Sequence, residues 1–231
     1  MKSGDIKFIP SLSKEKQEAI HGIGFGILNK IVYKFPLSTN GTKFWGNDIK
    51  QFGYCHDDIS LVKTYYDCTD DYIINDTTTT PHKESSKEAI LIQFLAGKAA
   101  DRIDPPPGGY GSGSGSNIGL TDKEIIKESM HTLRLIFGDG IHNNVPEPIC
   151  KPIVTRWNND QYSYGSYSYT KINSSAKMYT DIAAPATPSL FFAGEHTSKH
   201  YHSTVHGAWS TGKREAERIM EQISNISNRK E

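Results

Sequence analysis

Leu190 to Arg218, LFFAGEHTSKHYHSTVHGAWSTGKREAER, is the stretch from which the rest of this 231-residue chain can be read. Its first residues, Leu190–Ala193, are apolar and predict a short buried strand. Gly194 and Glu195 then turn the chain. A His-rich loop follows, and Ser203 or Thr204 stands near the start of a helix expected from about Thr204 to Ile223. Val205, Ala208, Trp209, Ala216, Ile219, Met220 and Ile223 recur at helical spacing against a charged face, the pattern of a stripe packed into a core. The free N–H groups and positive dipole end of such a helix suit an anionic or electron-rich ligand group. Gly207 and Gly212 leave the helix surface bare enough for close approach of another surface. Glu195, at a strand end, is placed to accept hydrogen bonds from hydroxyls.

Working outward, Pro10–Ile23 predicts a helix with Ser11 or Ser13 as its cap. Ile27–Phe35 is β-branched and aromatic after Gly22, Gly24 and Gly26, and predicts a strand. Short strands are expected near Phe52–Tyr54 and Leu61–Tyr66. Asp67–Lys87, with its run Thr77–Thr80, reads as an exposed insertion. Ile90–Leu95 predicts a buried strand, and Gly97 a turn into a short helix ending near Arg102. PPPGGYGSGSGS, from Pro105 to Ser116, has no core-forming residues and reads as a flexible loop. Thr121-Asp122-Lys123-Glu124 is a capping box. It opens a helix with an apolar stripe of Ile125, Ile126, Met130, Leu133, Ile136 and Phe137, stopped by Gly138. Pro152–Trp157 predicts one more strand. Strands alternating with helices give the fold class α/β, in the mixed α+β sense.

Acidic and basic residues balance at 26 each, which argues against a nucleic-acid-binding module. Cys55, Cys68 and Cys150 are odd in number and unpatterned, as in reduced thiols of a reducing compartment. The cytoplasm is expected, with nucleus or peroxisome as alternatives. No membrane helix and no signal peptide are legible. His196, His200, His202 and His206 invite a zinc reading, but most lie in a loop and no H-E-x-x-H is present, so no metal is expected. Asp57 and Asp58 read as a solvated pair. No G-x-S-x-G elbow supports a serine hydrolase.

The closing stretch resembles that of the flavin-dependent amine oxidases, the group of polyamine oxidases and histone demethylases. The match runs Phe192-Ala193-Gly194-Glu195-His196-Thr197, then Thr204-Val205-His206-Gly207-Ala208, then Gly212 and Arg214-Glu215-Ala216. Upstream, Gly24-Phe25-Gly26-Ile27-Leu28-Asn29-Lys30 is similar to the family's G-F-G-x-x-N-K strand. Phe44-Trp45-Gly46, Leu95-Ala96-Gly97, Arg156-Trp157, Tyr162 and Gly165-Ser166-Tyr167-Ser168-Tyr169 match further family segments. Residues 55–88 and 104–118 diverge as insertions.

That resemblance implies an FAD cofactor and roles for single residues. Lys30 matches the lysine that holds a water against flavin N5. A lone strand lysine is ordinarily exposed; its place in G-F-G-x-x-N-K reverses the bet. Glu195, after Gly194, matches the residue binding the ribose and ribityl side. Thr204 and Val205 lie at the helix start facing the flavin's pyrimidine end. Trp157 packs near the flavin, and Tyr167 matches an aromatic wall over its face. Tyr162, Tyr167 and Thr204 are the candidate substrate pocket. The rival reading of the Tyr162–Tyr169 cluster, set below the substrate wall, is a β-edge with alternating aromatics. Where several relatives carry a second tyrosine this chain has Thr204, pointing to a spermine-oxidase or lysine-demethylase style of pocket. His202 stands where many relatives have proline.

The implied reaction is oxidation of an amine by FAD and O2, giving an imine and hydrogen peroxide. A polyamine or related secondary amine is the first substrate class, N-methyl-lysine the second. No G-x-G-x-x-G lies between a strand and a helix; the glycines near positions 22–26 and 109–115 fail the spacing. The expectation is therefore the C-terminal portion of a two-domain amine oxidase. Residues 1–185 would belong to the substrate-binding domain and 186–231 would supply the last strand and helix of the FAD domain. The dinucleotide-binding βαβ would be absent, or supplied by a separate chain. The rival expectation is a non-catalytic fragment or interaction protein that binds no flavin alone.

Overall fold

The computed structural model describes residues 6–55, 63–69, 88–105, 119–138 and 145–227. The expectations for Asp57, Asp58, Thr77–Thr80 and most of the Gly-Ser loop lie outside those residues. Helices and strands are mixed, as expected. The chain forms two compact units: residues 27–166, and residues 1–26 together with 167–231. Compactness thus draws its lines at 26/27 and 166/167, whereas the expected partition at 185/186 concerns which domain each residue serves.

Residues 27–166 build a five-stranded antiparallel sheet. Its centre pairs β2 (Leu28–Pro36) with β5 (Glu88–Ala96) over their whole lengths, from Leu28 opposite Ala96 to Pro36 opposite Glu88. The strands β4 (Lys63–Asp67) and β3 (Gln51–Tyr54) extend one side, and β6 (Ile153–Val154) the other. Strand alternation decides what faces the core. Asn29, Ile31, Tyr33 and Phe35 are fully buried, while Lys30, Val32 and Lys34 point the other way. The core lies between this face and α3 (Asp122–Phe137), which contributes Ile125, Met130 and Leu133. Phe35, Phe44 and Trp45 meet edge to face within it.

The helix α2 (Gly97–Ile103) leaves β5 at Gly97, whose φ of +53° favours glycine. The expected capping box forms at α3: Thr121 Oγ1 accepts from Glu124 N, and the Glu124 carboxylate accepts from Thr121 N. The strand expected over Pro152–Trp157 is shorter than its sequence suggested. Beyond Val154, Trp157 N turns to the Asn29 side chain and leaves the ladder. Asp104, where the expected insertion 104–118 begins, is completely buried.

The other unit pairs α1 (Lys14–Gly22) with α4 (Ala176–Ala183) around Leu12, Ile20, Tyr179, Ile182 and Phe192. The helix α1 starts at Lys14, later than Pro10, because Ser13 caps it by accepting from Lys16 N. Lys16 is buried, and its ammonium donates to the carbonyls of Asp181, Ile182 and Ala184 at the end of α4. That is where a helix dipole favours a cation. Burial pulls the Lys16 pKa below its ordinary value, against the pull of Asp181 and Glu215. A two-stranded ribbon joins β1 (Gly24–Gly26) to β7 (Tyr167–Tyr169). The Tyr169 ring lies so close over Gly24 that a Cβ there would fall 2.5 Å from it.

Two expectations fail here. Leu190–Ala193 forms no strand: Leu190 makes only an isolated bridge to Thr187, and the Phe192 carbonyl accepts from Arg214 instead of a neighbouring strand. The last helix, α5 (Val205–Ser227), does not bury its apolar stripe. Its buried positions are Gly207, Thr211 and Glu215, while Val205 is 88% and Trp209 70% exposed. Hydrogen bonding decides this, because the inward face is the one that carries Thr211 and Arg214.

Replacing Thr121 by Ala removes one arm of the capping box. It should cost about 1 kcal/mol of unfolding free energy, read as a lower urea midpoint with unchanged m-value.

Candidate functional site

The closing motif is organised by one carboxylate. Gly194, at φ +126°, allows the turn, and Glu195–Thr197 follow as a single 3-10 turn. Any Cβ at position 194 would also lie 2.6 Å from the His196 ring, so glycine is required twice over. Glu195 Oε1 accepts from Ser168 N at 2.9 Å. Its Oε2 accepts from Ser168 Oγ at 2.7 Å and from Ser203 N at 2.6 Å. Glu195 therefore ties the β7 ribbon, next to Tyr167, to the residue preceding the cap of α5. Ser203 has a φ of +63°, a conformation few non-glycine residues adopt, and it is fixed at both ends: its hydroxyl donates to the Ser168 carbonyl.

Thr204 is the cap of α5. Its hydroxyl accepts from Gly207 N at 3.0 Å and donates to the Tyr201 carbonyl at 2.6 Å. Gly207 makes this possible: a Cβ there would sit 1.8 Å from the Tyr201 carbonyl oxygen. Gly212, by contrast, faces open space. Further along α5, Thr211 accepts from Gly194 N, and Arg214 donates to the Phe192 and Thr197 carbonyls. Buried Glu215 receives Arg214 and Arg218 on one oxygen. The sequence reading passed over Thr211 and Arg214 as anchors of the Gly194-Glu195 turn, although Arg-Glu-Ala was visible in the motif.

This arrangement can hold a polar ligand. An ionised carboxylate offers roughly four lone-pair positions, and Glu195 spends three on Ser168 and Ser203. One acceptor position on Oε1 remains for a hydroxyl. At the helix mouth the Thr204 hydroxyl and carbonyl satisfy Gly207 N and Ala208 N. That leaves the Val205 and His206 N–H groups as donors a ligand can address. Acceptor and donors of this kind fit the hydroxylated chain and ring carbonyls of a flavin.

The second group of candidates lies within residues 27–166. Lys30 is half-buried on the sheet face away from the core, its Nζ 5.5 Å from the centroid of the Phe94 ring. Its backbone N–H donates to Thr155 Oγ1 at 2.8 Å. Trp157 N donates to Asn29 Oδ1 at 3.1 Å, so Lys30 and Trp157 are held by adjacent ties. Arg156 donates to the carbonyls of Ile103 and Leu120 and to Asp122, clasping both flanks of the Gly-Ser loop. That bond from Arg156 holds the Asp122 carboxyl below its usual range, against a smaller opposing effect of burial. Tyr162 is 89% exposed, and Tyr167 is half-buried in β7. Among the described residues no three His, Cys, Asp or Glu side chains gather as a metal site, and no helix is long and apolar enough to cross a membrane.

Comparison with known proteins adds context to this geometry. A family model described as flavin containing amine oxidoreductase matches residues 1–220. The chain is similar to lysine-specific histone demethylase 1 homolog 1 of Oryza sativa subsp. japonica, 34% identical over 221 residues. It is also similar to human lysine-specific histone demethylase 2, 32% identical over 222 residues. The matches take in 95% of this chain but 22% and 23% of those relatives. Among solved structures, cyclohexylamine oxidase from Brevibacterium oxydans shares the fold with a TM-score of 0.63 at 17% identity, over 96% of this chain and 41% of that one. A putrescine oxidase bound to putrescine gives 0.61 at 16%, over 94% and 40%.

Two outcomes follow from this geometry. Glu195→Gln replaces one acceptor oxygen with an NH2 donor facing other hydrogen-bond donors and should cost about 1–3 kcal/mol in chemical unfolding. His196 has its pKa lowered, chiefly by burial, with Glu195 opposing. The folded state then binds its proton less readily than the unfolded chain. Its contribution to stability is present above the unfolded value of about 6.5 and is lost as pH falls from there through the lower folded value. Thermal unfolding followed from pH 7.5 to about 5 should show this slope, and His196→Gln should flatten it.

Proposed function

Because the chain belongs to the flavin-containing amine oxidoreductase family, with FAD as its cofactor, we propose that it works as an FAD-dependent oxidase of N-alkylated amines. The observation that carries this reading is the Glu195 node: one spare carboxylate position beside a helix mouth with open N–H donors. In this role Glu195 accepts a hydroxyl of the ribose and ribityl side, and the start of α5 at Thr204 and Val205 faces the pyrimidine end. Trp157 packs beside the ring system, and Lys30 holds a water at its reactive edge. Bound FAD supplies the electron acceptor for amine oxidation, with O2 reduced to hydrogen peroxide. Tyr162 and Tyr167 line the amine's path. The Thr204 hydroxyl is engaged in the cap, donating to the Tyr201 carbonyl and accepting from Gly207 N. Of the two tyrosines, half-buried Tyr167 offers the less hydrated surface, and such a surface favours the neutral amine, the form able to give up electrons.

Between substrate classes, N-methyl-lysine is favoured over a free polyamine. The relatives at 32–34% identity are named lysine-specific histone demethylases, whereas the amine oxidases of small substrates resemble the chain at 16–17%. That substrate would place the protein in the nucleus.

The chain spans less than a quarter of those relatives and about two fifths of the solved oxidases. Val205, Trp209, Met220, Ile223 and Ile226 remain exposed along α5, an apolar stripe larger than scattered surface residues make. We assign that stripe to contact with a dinucleotide-binding half lying outside these residues, in the same or another chain. The alternative, a fragment that binds no flavin, is decided by the same measurements.

The purified 231-residue chain should release little or no peroxide. Combined with the dinucleotide-binding half of a histone-demethylase relative, it should gain flavin absorbance and release peroxide from a mono-methyl-lysine peptide faster than from spermine. A combined sample without flavin defeats the oxidase reading. Robust turnover by the chain alone defeats the need for a second half. Trp209→Asp, on the exposed face, should abolish the association while leaving the circular dichroism of the chain unchanged.

A further inference from the structure

Asp104 lies at the edge of the Gly-Ser loop, yet it is completely buried. Its oxygens are held by nitrogen donors alone: Asn29 Nδ2 at 3.0 Å, Asn158 N at 2.8 Å and Asn159 Nδ2 at 2.5 Å. The Asp104 carbonyl accepts from Asn158 Nδ2 at 2.8 Å. A carboxylate out of water persists only when its lone pairs are met in this way. The network continues through Asn29, which is also completely buried. With its amide nitrogen committed to Asp104, the Asn29 side chain must aim its oxygen at Trp157 N and at the Thr155 hydroxyl, both at 3.1 Å. Thr155 in turn accepts from Lys30 N.

We infer that Asp104 is a positioning residue of the flavin site: through Asn29 it sets the entry of Trp157 and, by way of Thr155, the side-chain tie on the Lys30 backbone. An amide side chain has two ends, and the acceptor on the Asp104 side, together with the donors at Trp157 and Thr155, selects the orientation in which the oxygen meets Trp157. Without that acceptor Asn29 can turn over, presenting a donor to a donor at Trp157 N and releasing the backbone that carries the indole. The network thus converts a carboxylate remote from the reacting atoms into control of two residues that face them. This inference rests on the reading that Lys30 and Trp157 attend the flavin. The geometry of the network itself does not.

The chain has three tryptophans, Trp45, Trp157 and Trp209, so 5-fluorotryptophan labelling gives a fluorine NMR signal for each, assigned by single Trp→Phe variants. Asp104→Asn keeps the shape and removes one acceptor. It should shift or split the Trp157 signal while leaving Trp45, fully buried in the core of residues 27–166, where it is. An unchanged Trp157 signal in the folded variant overturns the inference. So does a Trp45 signal that moves equally, because a merely structural carboxylate disturbs both. Should Asp104→Asn fail to fold, Thr155→Val tests the other end of the network. It should also move Trp157 alone, and a silent spectrum overturns the inference. Adding FAD to the wild-type chain together with the dinucleotide-binding half tests the underlying site reading separately. If Trp157 ignores the cofactor there but responds to Asp104→Asn, the network stands and the flavin assignment of Trp157 falls.

Discussion

A carboxylate shielded from water needs hydrogen-bond donors, wholly so at buried Asp104 and in part at half-buried Glu195, and this requirement shapes both parts of the candidate machinery. Glu195 meets it with the backbone and hydroxyl of Ser168 and the backbone of Ser203. Asp104 meets it with three asparagines. In each case the donors come from segments far apart in sequence, so satisfying the charge also sets where those segments run. The ribbon next to Tyr167 and the cap of α5 are placed by the first carboxylate. The adjacent ties of Lys30 and Trp157 are placed by the second.

The same requirement explains why α5 turns inward the face it does. Thr211 and Arg214, the latter paired with Glu215, hold the Phe192–Thr197 segment by hydrogen bonds that the apolar stripe could not supply. The stripe is then left outward, from Val205 to Ile226. A helix of this length with apolar residues on the solvent side is incomplete by the usual rule of burial. The chain covers 22% of one histone demethylase relative and 41% of one solved amine oxidase.

Under the proposed function, the division of labour is that of a cofactor enzyme: the electron chemistry would belong to FAD, and the residues would supply an acceptor for hydroxyls and donors at a helix mouth. The hydroxyl of Thr204 shows how such groups also serve the fold: its bonds to Tyr201 and Gly207 build the helix start.

Local chemistry was legible in the sequence. Thr121 and Glu124 named their own capping box, Gly138 the end of α3, and Ile27–Phe35 the strand that became β2, because each depends on residues a few positions apart. Membership in the amine oxidoreductase family was legible as well, since its motif runs along one continuous stretch from Phe192 to Ala216. What the sequence could not settle were choices between partners distant along the chain. Leu190–Ala193 has the composition of a strand, but no strand lies beside it, and its Phe192 carbonyl goes to Arg214. The α5 stripe has the spacing of a core face, but the polar face makes the contacts. Asp104 reads as the first residue of a loop and is buried under Asn29, 75 positions earlier. Periodicity reports that a face is apolar and that a carboxylate is present. Only the tertiary structure decides what each one meets, because hydrogen-bond satisfaction is a property of the folded neighbourhood and not of the local chain.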